Sequence, residues 1–262
     1  MTPRKQRSLT CSFLFFCFCI LTATAYGKAP SRSYYQIKVY HLKSSAQQQR
    51  VEKFLETAYL PALRRTGIKT IGVFKTMETD TVKRIYVFIP YRNWKQIEET
   101  ELALQKDQRF KANGKGYLDA SYDNQPYERI ETTILRAFEG MPQPFVPQLT
   151  GPRQDRVYEL RSYESATETY FANKVKMFNS GEIDLFKRLG FNALFYGEAV
   201  AGANMPNLMY MTSFENKASR DEHWKSFGND PFWKELSALP EYQHNVSRIF
   251  IYFLYPAAYS DF

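Results

Sequence analysis

The chain has 262 residues, of which 44% are hydrophobic and 16% are aromatic, and its formal net charge is +8. This length is sufficient for two domains of about 100 residues, each with its own hydrophobic core. The basic residues are scattered among acidic ones, a distribution that does not favour a nucleic-acid-binding surface. We therefore expect no nucleic acid among the partners of this protein.

The first 25 residues predict a cleavable signal peptide. A basic stretch at residues 4–7 precedes an apolar stretch at 13–21 and the small-x-small sequence Ala23-Thr24-Ala25. The apolar stretch is shorter than the roughly 20 residues that a membrane-spanning helix needs, so we expect no stable membrane insertion after cleavage. These features predict cleavage after Ala25 and a secreted or periplasmic mature protein.

All three cysteines of the chain, Cys11, Cys17 and Cys19, lie within this predicted signal peptide. The mature chain would therefore contain no disulfide bond, no catalytic thiolate and no cysteine-ligated metal. Removal of the segment would also lower the formal charge from +8 to +5, because it contains three basic residues and no acidic one.

The residues that follow predict six elements in the order β-α-β-β-α-β. Apolar-polar alternation predicts a strand over 34–41, and helical spacing predicts a helix over 45–66 that Pro61 kinks and Gly67 ends. The remaining predicted elements of this half are a hairpin with strands at 68–76 and 83–91, a helical region at 93–111 and a strand at 129–138.

The same order of elements is predicted again in the second half of the chain. Its predicted elements are a strand at 156–164, a helix at 167–189, a hairpin at 191–214, helices at 217–238 and a strand at 246–255. Asp230 is predicted to cap a short helix that starts at Pro231, with Trp233 as its anchor on the sheet.

The two halves match each other at a constant offset. The strand Tyr35–Tyr40 lies 123 residues before Tyr158–Tyr163, and the same offset relates Arg65-Thr66-Gly67 to Arg188-Leu189-Gly190. A single offset at several landmarks indicates duplication. We therefore predict two tandem domains, and their bounds are 34–138 and 155–257, with a proline-rich linker at 139–154.

The β-α-β-β-α-β order predicts a ferredoxin-like module, an antiparallel sheet with helices on one face. The other face of each sheet must also be buried. We therefore predict an α+β fold in which the two modules pack sheet-to-sheet as an α/β barrel, either within one chain or between chains.

The second half resembles the NIPSNAP family, a branch of the dimeric α/β-barrel superfamily. The resemblance rests on the opening strand Val157–Tyr163, on Phe186–Gly190, on the strand Leu208–Phe214 and on Asp230-Pro231-Phe232-Trp233. The first half is similar through Tyr35–Tyr40 and Leu60–Gly67 but departs at Asp107–Phe110. The resemblance implies the barrel fold and little chemistry, because the superfamily includes haem-binding enzymes, cofactor-free monooxygenases, isomerases and ligand-sensing modules.

The candidate site residues come from the polar face of the strands. We expect the apolar face, Tyr158, Leu160 and Ser162, to meet the helices, so that the polar face points into the barrel. The residues predicted to line a cavity for a small, anionic or aromatic ligand are Glu159, Arg161, Tyr163, Tyr210, Arg248 and Tyr252, with His41 at the barrel mouth. The alternative is a structural Glu–Arg network that fills this space.

The three histidines, His41, His223 and His244, are too far apart to predict a metal site. A single histidine could ligate haem, as in some relatives, but the pattern of its helix predicts that His223 faces solvent. No catalytic residue can be assigned from these patterns.

We therefore expect an exported NIPSNAP-like barrel that binds a small ligand or a protein partner. The alternative is an oxidoreductase of the same superfamily, either a cofactor-free monooxygenase or a haem enzyme. A third interpretation is a structural protein that self-associates through exposed sheet edges.

Overall fold

A computed structural model describes residues 31–77 and 82–262. The predicted signal peptide, including all three cysteines, lies outside the described residues, so export remains a prediction. None of the helices within the described ranges is long and apolar enough to cross a membrane.

The first half of the described chain supplies four strands and four helices. They are β1 (Tyr34–Leu42), α1 (Ser45–Phe54), α2 (Leu60–Arg65), β2 (Gly72–Thr76), β3 (Lys83–Tyr91), α3 (Trp94–Lys106), α4 (Gln108–Leu118) and β4 (Arg129–Ala137). A π-helical turn, Leu55–Tyr59, connects α1 to α2 just before Pro61, where the sequence predicts a kink. Asp107 separates α3 from α4 because its carboxylate accepts the Phe110 N–H and caps the second helix.

The second half supplies the same succession of elements. They are β5 (Val157–Glu164), α5 (Glu168–Met177), α6 (Ile183–Arg188), β6 (Ala193–Ala201), β7 (Asn207–Phe214), α7 (Lys217–Asn229), α8 (Pro231–Ala238) and β8 (Arg248–Pro256). A π-helical turn, Phe178–Glu182, again connects the first two helices. As predicted, Asp230 caps α8. Trp233 packs against Phe227 of α7, with a ring-centroid distance of 4.4 Å, and this contact is to a helix and not to the sheet as predicted.

The eight strands close into one antiparallel barrel in the order β1-β3-β2-β8-β5-β7-β6-β4. Within each half the first strand lies between the third and the fourth, and the halves are joined by pairing of β2 with β8 and of β4 with β6. The predicted α+β barrel is confirmed, and it closes within one chain. Pairing across the two junctions is short, with three residue pairs between β2 and β8 and four between β4 and β6, so parts of β4 and β8 have no ladder partner on that side. Self-association through sheet edges therefore stays a prediction.

Each strand has an interior face and a helix-facing side. The interior cluster combines apolar residues of both halves, including Tyr35, Ile37, Tyr158 and Leu160. Two further clusters lie between the barrel and the helices of each half. The prediction that the apolar set beginning with Tyr158 and Leu160 meets the helices is therefore wrong, because these residues of the two halves pack against each other inside the barrel.

One end of the barrel interior is closed by aromatic rings. Phe88 stacks on Phe195 at 4.8 Å, and the buried C-terminal residue Phe262 packs edge-on to Phe88 at 5.7 Å and tilted to Phe74 at 6.1 Å. Polar side chains line the other end, which we call the barrel mouth.

Candidate functional site

The structure separates the predicted site residues into two places. Glu159, Arg161, Tyr163 and Tyr210 lie between the second half of the barrel and its helices, in what we call the helix-facing layer. His41 and Tyr252 line the cavity at the barrel mouth. Arg248 is not among the residues that line it; its side chain is mostly exposed and lies 4.0 Å from Glu164. The prediction that the Glu159–Tyr163 face points into the barrel is therefore wrong.

The physical reason is that helix α7 supplies partners for the polar strand residues. Glu159 is completely buried, and its carboxylate accepts hydrogen bonds from Arg161 Nε at 2.5 Å and from Arg220 Nε at 2.5 Å. The Trp224 indole N–H donates to the same carboxylate at 3.0 Å. A buried carboxylate with three donors needs no cavity to be stable.

Arg161 is held by aromatic side chains as well as by Glu159. Its guanidinium lies 3.6 Å from the centroid of the Trp224 ring, and its Nη1 donates to the Tyr163 hydroxyl at 3.0 Å. The Tyr163 and Tyr210 hydroxyls are in turn 2.8 Å apart. Burial alone would lower the pKa of Arg161, but the neighbouring Tyr210, Tyr163 and Glu159 raise it, so the guanidinium stays charged.

A second buried ion pair lies in the same layer. Lys174 Nζ is 2.8 Å from the Glu182 carboxylate, and both side chains are at least nine-tenths buried. Burial raises the pKa of Glu182, although Lys174 opposes this shift. The charged groups of the helix-facing layer therefore satisfy one another, and a ligand role for Glu159, Arg161, Tyr163 and Tyr210 stays a prediction without support from the geometry.

The barrel mouth, in contrast, encloses a cavity of about 330 Å³. Its walls come from both halves of the barrel, and the side chains that matter below are His41, Arg84, Tyr86, Glu131, Ser162, Asn207, Phe250 and Tyr252. Apolar side chains of Ile37, Val39 and Met209 also line it. The cavity is at the small end of the range of ligand pockets, about 300–1,000 Å³.

Charges of both signs lie around the barrel mouth. His41 Nε2 is 3.0 Å from the Glu131 carboxylate, and Arg248 Nε is 4.0 Å from that of Glu164. Burial alone would lower the pKa of Arg84, but the neighbouring Tyr86 and Tyr252 outweigh it and raise the pKa. Arg84 is therefore cationic at neutral pH.

Arg84 Nε and Asn207 Oδ1 of the cavity lining are buried without a hydrogen-bond partner. Glu164 Oε1, which lies beside Asn207 in the register of β5 and β7, is also without one. His41 Nε2 forms no hydrogen bond either, although it lies 3.0 Å from the Glu131 carboxylate. Asn207 is only 4% exposed and its Nδ2 donates to Ser162 Oγ at 2.8 Å, which leaves the amide oxygen unpaired at the cavity. Buried polar atoms are nearly always paired in folded proteins, so unpaired atoms in and beside one cavity indicate a place for a ligand.

Arg84, Glu164 and Asn207 were missed at the level of the sequence, although a signal for them existed. Arg84 and Asn207 are related by the same 123-residue offset that relates the two halves, and so are His41 and Glu164. Polar residues at matching strand ends in both halves could have indicated the mouth once the interior face was known.

His223 is held by its own helix and by aromatic neighbours. His223 is half-buried rather than solvent-facing, its Nδ1 lies 2.6 Å from the Ser219 carbonyl oxygen, and its ring packs against Phe191 and Phe214. Across residues 31–77 and 82–262, no group of three or more His, Cys, Asp or Glu side chains is placed to hold a metal ion.

The second half of the chain matches a family model. The NIPSNAP model covers residues 158–261, from the first residues of β5 to the end of β8 and beyond. Residues 158–261 are therefore similar to a NIPSNAP domain. This half of the barrel supplies Asn207 to the cavity, with Glu164 beside it in strand register, and the first half supplies His41 and Arg84.

Solved structures show that the similarity in fold extends beyond the residues that match the NIPSNAP model. A candidate monooxygenase from Fusobacterium nucleatum superposes with a TM-score of 0.55 at 8% identity over 86% of this chain and 93% of its own. Another candidate monooxygenase, from Lactobacillus acidophilus, superposes with a TM-score of 0.55 at 11% identity, over 86% of this chain and 94% of its own. An anthrone oxidase-like protein superposes with a TM-score of 0.52 at 8% identity, over 87% of this chain and 93% of its own. None of the curated proteins compared with the chain matches it significantly.

Proposed function

We propose that this protein is an exported binding protein that holds a small molecule in the barrel mouth. The observation that carries the proposal is the cavity of about 330 Å³ at which Arg84 Nε and Asn207 Oδ1 are buried without partners. An unpaired buried donor or acceptor costs about 1–3 kcal/mol. A ligand that pairs with both atoms would recover this free energy on binding.

The comparison with the helix-facing layer supports this location. There the carboxylate of Glu159 is saturated by donors from the protein itself, so nothing remains for a ligand to satisfy. At the barrel mouth the aromatic rings of Tyr86 and Tyr252, 5.7 Å apart, offer apolar walls next to the unpaired polar atoms. Apolar walls with a few convergent polar groups are typical of small-molecule sites.

The names of the structural neighbours do not change this proposal. Their identity to this chain is 8–11%, which supports a common fold and no common chemistry. Export, the remaining part of the proposal, is supported by the basic, apolar and small-residue stretches of the first 25 residues.

The proposal is tested by blocking the cavity. Native mass spectrometry of the chain starting at Tyr26, purified from its own host, is expected to show a small bound mass. Val39 lines the cavity, so Val39→Trp should fill it, whereas Val200→Trp places the same side chain on an exposed strand position. We expect the bound mass to be lost in the first variant and retained in the second.

Thermal unfolding gives an independent measure. A ligand at 100 times its dissociation constant adds about 2.7 kcal/mol of stability, a rise in Tm of roughly 5–10 °C for a chain of this size. The rise should vanish in Val39→Trp alone. Equal binding by wild type and Val39→Trp would place the ligand elsewhere, and an unliganded mass together with no stabilisation by any compound of a metabolite library would rule out the proposal.

A further inference from the structure

We infer, on the basis of the proposed function, that the ligand of the barrel mouth is a small amino carboxylate with an apolar or aromatic side chain. Its carboxylate would pair with Arg84, and its protonated amine would pair with Asn207 and Glu164. The inference rests on where the three unpaired atoms lie, on the charge balance around them and on the rings between them.

The unpaired donor and the unpaired acceptors lie on opposite walls. Arg84 is on β3 and Asn207 is on β7, and these two strands are four positions apart in the closed order of eight, which is the greatest separation the barrel allows. Glu164 pairs in register with Asn207 on the adjacent strand β5. A ligand that satisfies all three atoms must present an acceptor to one wall and a donor to the other.

The two halves carry opposite hydrogen-bonding character at equivalent positions. His41 and Arg84 of the first half correspond, at the common offset of 123 residues, to Glu164 and Asn207 of the second. The first wall therefore offers a guanidinium donor, and the second offers a carboxylate and an amide oxygen. The site therefore has a hydrogen-bond donor on its β3 side and hydrogen-bond acceptors on its β5 and β7 side.

The charge balance favours a ligand without net charge. The charged side chains that line the cavity are Arg84 and Glu131, with His41 paired to Glu131. Glu164 and the mostly exposed Arg248 form the register pair beside it, where β5 begins to leave the cavity lining. Two cations and two carboxylates offset each other, so a dianion such as a phosphate ester would meet Glu131 and Glu164 unfavourably. A zwitterion places a carboxylate at Arg84 and an ammonium at Glu164, where each forms charge-assisted hydrogen bonds.

The side chain of the ligand has an apolar place between the two walls. Tyr86 and Tyr252 lie 5.7 Å apart, and Phe250 is parallel to Tyr252 at 6.4 Å. Ile37 and Met209 also line the cavity below these rings. These contacts favour an aliphatic or aromatic group over a charged one.

The experiment compares three probes that differ by one group. Calorimetric titration of the chain starting at Tyr26 would use phenylalanine, 3-phenylpropanoate without the amine, and phenethylamine without the carboxylate. We expect phenylalanine to bind at least about tenfold more tightly than either truncated probe, because each lost group leaves a buried charged partner unpaired. Equal affinity of phenylalanine and 3-phenylpropanoate would overturn the assignment of the amine.

Substitutions should remove the two preferences separately. In Arg84→Met we expect phenylalanine and phenethylamine to bind with equal affinity. In Glu164→Gln we expect the difference in affinity between phenylalanine and 3-phenylpropanoate to become smaller. The matched controls are Lys83→Met, an exposed lysine next to Arg84 on the same strand, and Glu222→Gln, an exposed glutamate on α7. Both controls should keep the wild-type order of affinities, and unchanged thermal unfolding would show that each variant is folded.

The outcomes distinguish this inference from the proposed function. Suppose that no proteinogenic amino acid binds at millimolar concentration, but that another compound binds wild type and not Val39→Trp. The inferred ligand class is then wrong, and the proposed binding function stands. If no compound binds in a manner that Val39→Trp abolishes, both fail.

Discussion

The helix-facing layer and the barrel mouth both bring charged side chains together, but they differ in how those charges are paired. In the layer, Glu159 is completely buried and accepts hydrogen bonds from two arginines and a tryptophan. At the mouth, Arg84, Glu164 and Asn207 each keep one buried atom without a partner. Burial of charge is therefore common to both regions, and incomplete pairing is what distinguishes a candidate binding site from a structural network.

Removal of Glu159 is the strongest test of this comparison. In Glu159→Ala the guanidinium groups of Arg161 and Arg220 would lose their shared carboxylate, and we expect a loss of about 3–5 kcal/mol in the free energy of unfolding. Chemical denaturation measures this loss. The exposed Glu222 on α7 provides the control, because its substitution by alanine should change stability by less than about 0.5 kcal/mol.

The same variant also tests the division of roles. If folded Glu159→Ala loses ligand affinity while its stability falls by less than 1 kcal/mol, the layer contributes to binding and the comparison breaks down.

A double-mutant cycle on the buried Lys174–Glu182 pair is expected to give the next largest effect. Glu182→Leu alone leaves Lys174 buried without its carboxylate and should cost about 3 kcal/mol, whereas Lys174→Met with Glu182→Leu should return to within about 1 kcal/mol of wild type. Chemical denaturation of both singles and the double would show this coupling. Additive losses would indicate that the two side chains contribute through packing alone.

In the first half of the barrel, Lys38 corresponds to Arg161. Its substitution is expected to increase stability, by less than the losses predicted above. Lys38 Nζ lies 3.3 Å from the neutral Tyr59 hydroxyl, and burial lowers its pKa below the ordinary value of 10.5, although the charge of Glu101 opposes this shift. We expect Lys38→Met to raise the free energy of unfolding by about 1 kcal/mol at neutral pH, since it removes a poorly compensated buried charge.

The stability penalty of the Lys38 charge is expected to decrease as pH rises. Because the pKa of Lys38 is lower in the folded state, the unfolded chain binds its proton more tightly, and the penalty is fully present below the folded pKa. The difference in the free energy of unfolding between Lys38→Met and wild type should therefore shrink as pH rises from that pKa towards 10.5. Chemical denaturation at several alkaline pH values measures this difference. A difference that stays constant with pH, as expected for the exposed Lys69→Met control, would contradict the prediction.

The sequence was sufficient to predict the secondary-structure order and the barrel. Alternation over 34–41 and 156–164, helical spacing and the helix caps are local signals, and they predicted β1, β5 and most helix positions within a few residues. The break between α3 and α4 was missed, although Asp107 carries the capping signal that causes it.

Which strand face lies inside, and which polar groups remain unpaired, was decided only by the tertiary structure. A period of two separates Glu159, Arg161 and Tyr163 from Tyr158 and Leu160 but does not say which set points inward, since both faces of a covered barrel are buried. Arg220 and Trp224, the partners that stabilise Glu159 on the helix side, are 61 and 65 residues away in the chain. Asn207 faces Arg84 across the barrel mouth only because the closed strand order places β7 opposite β3. Local patterns determine local structure, whereas contacts between distant segments exist only once the barrel is closed.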